Sequence, residues 1–139
     1  MDHHKNAIDN FEKGYNCAQA VACAYAKELG IEEEMIFRLM EGFGGGFAHT
    51  GHMCGVLSGL TMVESYRVCS DMNHMPEGKF NTYDRIQPML KVFETQMGHV
   101  DCHEILAHHD QTLIHGKKAC CRSCVKLACQ ILDEQLVTL

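Results

Sequence analysis

Apolar positions along the chain recur with a period near 3.6 residues, and no Asn-Gly or Asp-Gly turn separates two alternating runs, so the pattern predicts helices throughout. A first helical stretch starts near Asp2 with Ala7, Ile8 and Phe11 on one side and weakens at Gly14-Tyr15. Asn16 is a side-chain cap for a second run, Cys17 to Leu29, closed by Gly30. Cys17, Val21, Ala24 and Tyr25 share one face of it, Ala18 and Leu29 flank that face, and Cys23 projects to the other side. Ile31 to Glu41 reads as a short helix whose Glu32, Glu33 and Glu34 complement the macrodipole, stopping at Gly42. Cys54 to Cys69 forms the next, with Cys54, Ser58, Thr61, Ser65 and Cys69 on a narrow stripe that faces a close helix or a ligand. After an exposed loop at Ser70 to Lys79, Asn81 to Met97 carries Ile86, Leu90 and Phe93 on its apolar side, with Pro88 as a kink or a start. A short piece around Cys102 to Leu106 precedes a last helix, Ala119 to Leu136. That helix turns Cys120, Cys121, Cys124, Val125, Ala128, Ile131 and Leu132 inward and Arg122 and Lys126 outward. The expected fold is all-α, a compact bundle of about five helices with a Gly-rich loop at Gly42-Phe43-Gly44-Gly45-Gly46-Phe47.

Composition narrows the function. With 139 residues, 46% hydrophobic and 22% charged, residues 1–139 are expected to form one domain. The net charge of −6 supplies no basic field for phosphates, so no nucleic-acid partner is expected. No window nears the roughly 18 consecutive apolar residues of a membrane span, and the N-terminus lacks an apolar signal core. Neither membrane insertion nor secretion is expected, which places the chain in the cytoplasm. There, 9 Cys, an odd count that cannot pair fully within one chain, read as metal ligands, redox groups or small buried hydrophobes.

The inward-facing thiols come from separate segments: Cys17, Cys54, Cys102 and the group Cys120, Cys121 and Cys124. Cys120 and Cys124 at i, i+4, and Cys121 and Cys124 at i, i+3, can each present two sulfurs to one ion or approach as a redox couple. A structural zinc site normally has two C-x2-C knuckles, and this chain has one, Cys121-Arg122-Ser123-Cys124. Cys23 and Cys129 read as core packing. Gly44, Gly45 and Gly46 are candidate cofactor-contacting residues, but they lack the Lys-Ser/Thr of a P-loop and read better as a strained turn beside Cys54. Among the many histidines, His52 and His103 lie close in sequence to Cys54 and Cys102, where they would lower a thiol pKa or complete a mixed Cys/His site. Met35, Met40, Met62, Met89 and Met97 read as core filler.

The run Gly14-Tyr15-Asn16-Cys17-Ala18-Gln19-Ala20-Val21, then Gly42-Phe43-Gly44-Gly45-Gly46 and Cys54-Gly55-Val56-Leu57-Ser58-Gly59, resembles the C_GCAxxG_C_C family of redox-active cysteine proteins. Cys102-His103-Glu104-Ile105-Leu106 is similar to its third cysteine segment, and Cys121 with Val125, Ala128, Ile131 and Leu132 to its terminal cysteine helix. The resemblance implies a small cytoplasmic helical protein whose four characteristic cysteines are Cys17, Cys54, Cys102 and Cys121, with a redox role. Val56 stands where the family motif has Ala, and Cys23, Cys69, Cys120, Cys124 and Cys129 are extra to the pattern.

Three function classes follow. In the first, Cys17, Cys54, Cys102 and Cys121, with Cys124 as auxiliary, hold an iron–sulfur cluster or another soft metal, zinc being the alternative ion, and the protein transfers electrons with a redox partner protein or stores the metal. In the second no metal is bound and two cysteines cycle between thiol and disulfide. The third is a helical interaction protein with structural cysteines. Small-residue helix faces and the apolar tail Leu136-Val137-Thr138-Leu139 are compatible with a homodimer.

Overall fold

A computed structural model describes residues 2–135, in which eight α-helices and one two-stranded hairpin occur. The helices are α1 (His3–Glu12), α2 (Cys17–Cys23), α3 (Ala26–Leu29), α4 (Glu33–Met40), α5 (Gly55–Val68), α6 (Gly78–Met97), α7 (Cys102–His108) and α8 (Ala119–Glu134). The chain is mostly helical, as its periodicity predicts, but it is not a plain five-helix bundle. The run 17–29 divides because the N–H groups of Ala24 and Tyr25 donate to Val21 and Ala22, three residues back, and tighten the backbone between α2 and α3. The hairpin β1 (Leu113–Ile114) and β2 (Lys117–Lys118) is a second departure from the all-α expectation. It turns at His115-Gly116, both left-handed, a conformation that Asn-Gly or Asp-Gly would have advertised and His-Gly does not. Pro88 lies inside α6, which begins three residues before the expected Asn81. The tail 136–139, on which the dimer expectation rested together with the small-residue helix faces, lies outside the described residues.

Local signals set several helix ends. Asp2 caps α1 by accepting from Lys5 N at 3.0 Å. Asn16 and Gln19 form a reciprocal capping box at the start of α2, at 2.9 and 3.0 Å. Gly30, at φ 70°, closes α3 as the sequence predicts.

The core is built around α2, whose residues 18–23 are all buried, and Cys23 packs in it as the sequence predicts. Its small residues let α5 come close. A Cβ on Gly59 would meet Ala18 O at 2.9 Å and Val21 Cβ at 3.2 Å. The contact face of α5 therefore runs through Gly55 and Gly59, not along the expected stripe, where Ser58, Thr61 and Ser65 are half-buried and Cys69 is exposed. Arg122, expected outside, folds inward and pairs with Glu12 of α1. Met35 is 55% exposed rather than core filler. Glu64 of α5 is buried completely and held between Arg67 (3.2 Å) and Arg85 (2.7 Å), an ion network that links α5 to α6.

Candidate functional site

Four helix beginnings meet at one end of α2, and each carries a cysteine. Cys17 is the first residue of α2, Cys54 is the N-cap of α5, Cys102 opens α7, and Cys121 is the third residue of α8. Two of them are brought together by backbone pairing that helical periodicity does not encode. Met53 and Asp101 form an antiparallel bridge, with Cys54 N donating to Val100 O at 2.8 Å and Cys102 N to His52 O at 2.6 Å. The start of α8 is tied to the loop after α7 by Ala119 N to Thr112 O and Cys120 N to Asp110 O, both 2.8 Å.

Between these ends lies a cavity of about 30 Å³ lined by Cys17, Cys54, Val56, Cys102, Ile105, Leu106, Cys121 and Cys124. Its walls are thiols and aliphatic groups only, and its volume is more than the roughly 10–15 Å³ needed to admit one water-sized group. Of the α8 pair, Cys121 lines the cavity and the adjacent Cys120 does not, while Cys124 joins one turn on. Cys23, Cys69 and Cys129 stand elsewhere. All nine cysteines are free thiols.

The backbone around Cys17 is built to admit its sulfur. The N–H groups of Gly45, Ala18 and Gly55 all point to Sγ, and a Cβ on Gly55 would lie 2.5 Å from it. Gly45 reaches this position from a turn in which Gly45, Gly46, Phe47, Ala48 and His49 have φ of 61°, 71°, 67°, 50° and 63°. Such a left-handed run costs about 1–2 kcal/mol at each non-glycine. It is held by Ala48 N to Gly42 O (2.7 Å), His49 N to Gly44 O (3.0 Å) and Gly51 N to Gly45 O (3.0 Å). Asn16 and Gln19 also donate to Glu41 O and Phe37 O, clamping the preceding segment to α2. The three candidate glycines do not line the cavity; their role in the described structure is close backbone approach, Gly44 against Asn16 and Gly46 against the His52 backbone.

The thiols are electrostatically frustrated. Burial, with the Cys54 sulfur nearby, raises Cys17 to about 11 against the three N–H groups, and burial raises Cys121 to about 12. Cys54 is pushed well above the usual thiol range, first by its hydrogen bond with the Cys124 thiol and then by burial, although the N–H groups of Val56 and Leu57 face it. Cys102 is also raised, by burial first, with Lys118 as the opposing cation. The helix dipoles and free N–H groups favour anionic sulfur, yet without a compensating cation burial wins and the thiols stay protonated near neutral pH. His52 and His103 do not relieve this. Neither lines the cavity; His52 is exposed, and His103 is bound to Gly51 O at 2.6 Å and to Glu104.

A family model described as "Putative redox-active protein (C_GCAxxG_C_C)" matches residues 15–135. No curated protein and no solved structure matches the chain.

Proposed function

The chain belongs to the C_GCAxxG_C_C family, whose description is a redox role, and from that premise we propose that Cys17, Cys54, Cys102 and Cys121, with Cys124 as auxiliary, hold an iron–sulfur cluster or another soft metal for electron transfer. One observation carries this reading: sulfurs from four separate helix beginnings line a single cavity free of any other donor. An all-thiol set suits soft metals and iron–sulfur clusters. The raised thiol pKa values support it as well, since a cation that displaces the thiol protons relieves the cost of buried anionic sulfur while the N–H groups on Cys17 and Cys54 remain as donors. When bound, the metal supplies the electron-accepting centre. The protein residues orient the sulfurs, and Val56, Ile105 and Leu106 keep water out. Among the helix ends that line the cavity, α7 fully buries only Ile105 and is the one best able to adjust to the size of the bound group. No helix among the described residues is long and apolar enough to cross a membrane.

Cys54 and Cys124 line the same cavity, and the Cys124 thiol is the largest influence on Cys54, which favours a second reading in which these two sulfurs lose two protons and two electrons to an oxidant and join as a disulfide. Oxygen-free purification separates the two. Stoichiometric iron or another redox-active soft metal, lost in Cys54→Ser with helical circular dichroism retained, is the expected result, whereas stoichiometric zinc, which has no redox couple, overturns the electron-transfer role. A metal-free protein whose free-thiol count falls by two on mild oxidation overturns the first reading and supports the second.

A further inference from the structure

A second set of ligating side chains stands on α7 outside the thiol cavity. His99 follows Gly98, the left-handed residue that ends α6, while Glu104 and His108 are one turn apart on α7 and so share a face. One ligand atom from each of the three lies within 4.8 Å of the other two. Glu104 Oε2 is 3.9 Å from His99 Nδ1, and the His99 and His108 imidazole rings stack at 4.6 Å. His108 Nδ1 is also 2.9 Å from the Glu104 carbonyl, which can only accept, so the proton sits on Nδ1 and Nε2 keeps its lone pair. A ring N–H held on a backbone carbonyl is the arrangement that orients a ligating histidine.

We propose that His99, Glu104 and His108 bind a divalent transition-metal ion of the zinc or cobalt class, at a site separate from the thiol centre. Two imidazole nitrogens and one carboxylate form a borderline donor set that selects such ions, whereas the thiol cavity selects softer ones. Bonds of about 2.0–2.2 Å place tetrahedral ligand atoms roughly 3.4 Å apart. The separations here exceed that by small rotations of half-exposed side chains, and solvent fills the remaining coordination positions. A bound ion joins the end of α6 to α7, the helix that begins with Cys102, and so anchors the most loosely held wall of the thiol cavity.

The probe is Co2+, titrated into reduced full-length protein, with bound metal counted by equilibrium dialysis and its ligands read from the absorption spectrum. Thiolate-bound cobalt shows intense sulfur-to-metal charge transfer, and cobalt on nitrogen and oxygen ligands shows only weak d–d bands. The expected result is one equivalent that binds without charge-transfer absorption, apart from any equivalent that fills the thiol cavity with charge transfer, and that is weakened at least tenfold in H99N and in H108N and kept in Cys54→Ser. In the unmodified protein, the same equivalent perturbs the ring-proton signals of His99 and His108 before those of the other histidines. Binding of that equivalent at unchanged affinity in both histidine variants overturns the proposal, as does cobalt bound only with charge transfer. Because Cys54→Ser spares this site, its failure and that of the thiol reading are distinguishable.

Discussion

Gly55→Ala adds one methyl group where three elements meet. The new Cβ would lie 2.5 Å from Cys17 Sγ, 2.9 Å from the Phe43 carbonyl oxygen and 3.2 Å from Ala18 N. The sulfur can rotate away, but the carbonyl and the amide are backbone, so α5 must back off from α2 or the Gly-rich segment must shift. Overpacking of this kind costs about 1–3 kcal/mol, and replacing a helical glycine returns about 1 kcal/mol, which leaves a net loss of up to roughly 2 kcal/mol. Gly42 provides the control, because a Cβ there meets nothing within 4 Å and its φ is not positive. Urea denaturation of both variants measures the difference, and metal content or thiol oxidation measures the consequence at the cavity. Gly55→Ala should be destabilised and should lose the cavity chemistry as Cys17 is displaced, while Gly42→Ala stays within about 0.5 kcal/mol of the parent. A Gly55→Ala protein as stable as the parent, with its metal content or thiol chemistry unchanged, would refute the close approach on which the site is built.

The raised thiols set the alkaline limit of the metal-free protein. Unfolded thiols ionise near about 8.5, whereas Cys17 is held near about 11 and Cys23, Cys121 and Cys129 near about 12. Unfolding above the ordinary value therefore releases protons, so this contribution is fully present below it and is lost as pH climbs toward the folded values. Urea midpoints should fall across that window, and by less in Cys17→Ala; equal slopes in the two proteins would contradict the assignment. In the left-handed turn, Ala48→Gly removes about 1–2 kcal/mol of strain and forfeits about 0.5–1 kcal/mol of chain entropy, so a gain of roughly 0.5–1 kcal/mol is expected by thermal or urea unfolding, and a loss would count against the positive φ at residue 48.

The family was legible in the sequence because its motifs are local strings, and the match over residues 15–135 bears out that resemblance. The His99–Glu104–His108 cluster was missed, although Glu104-x-x-x-His108 at helical spacing was a signal for two of its members. His99 joins them only because Gly98 reverses the chain after α6. His52 and His103 are close in sequence to Cys54 and Cys102 but do not line the cavity: His52 is exposed, and His103 is bound to the Gly51 carbonyl oxygen instead.

What the sequence determined by itself was the helical character, the capped starts at Asp2 and Asn16, the stop at Gly30, and the set of segments carrying cysteine, because caps and periodicity depend on neighbours within about four residues. What only the tertiary structure decided was that the thiol-bearing helix beginnings converge, that Cys121 and Cys124 rather than Cys120 face the cavity, and that Gly45 turns left-handed to reach Cys17. These depend on the Met53–Asp101 bridge and on the close packing of Gly55 and Gly59 against α2, contacts between residues far apart in the chain that no local periodicity encodes.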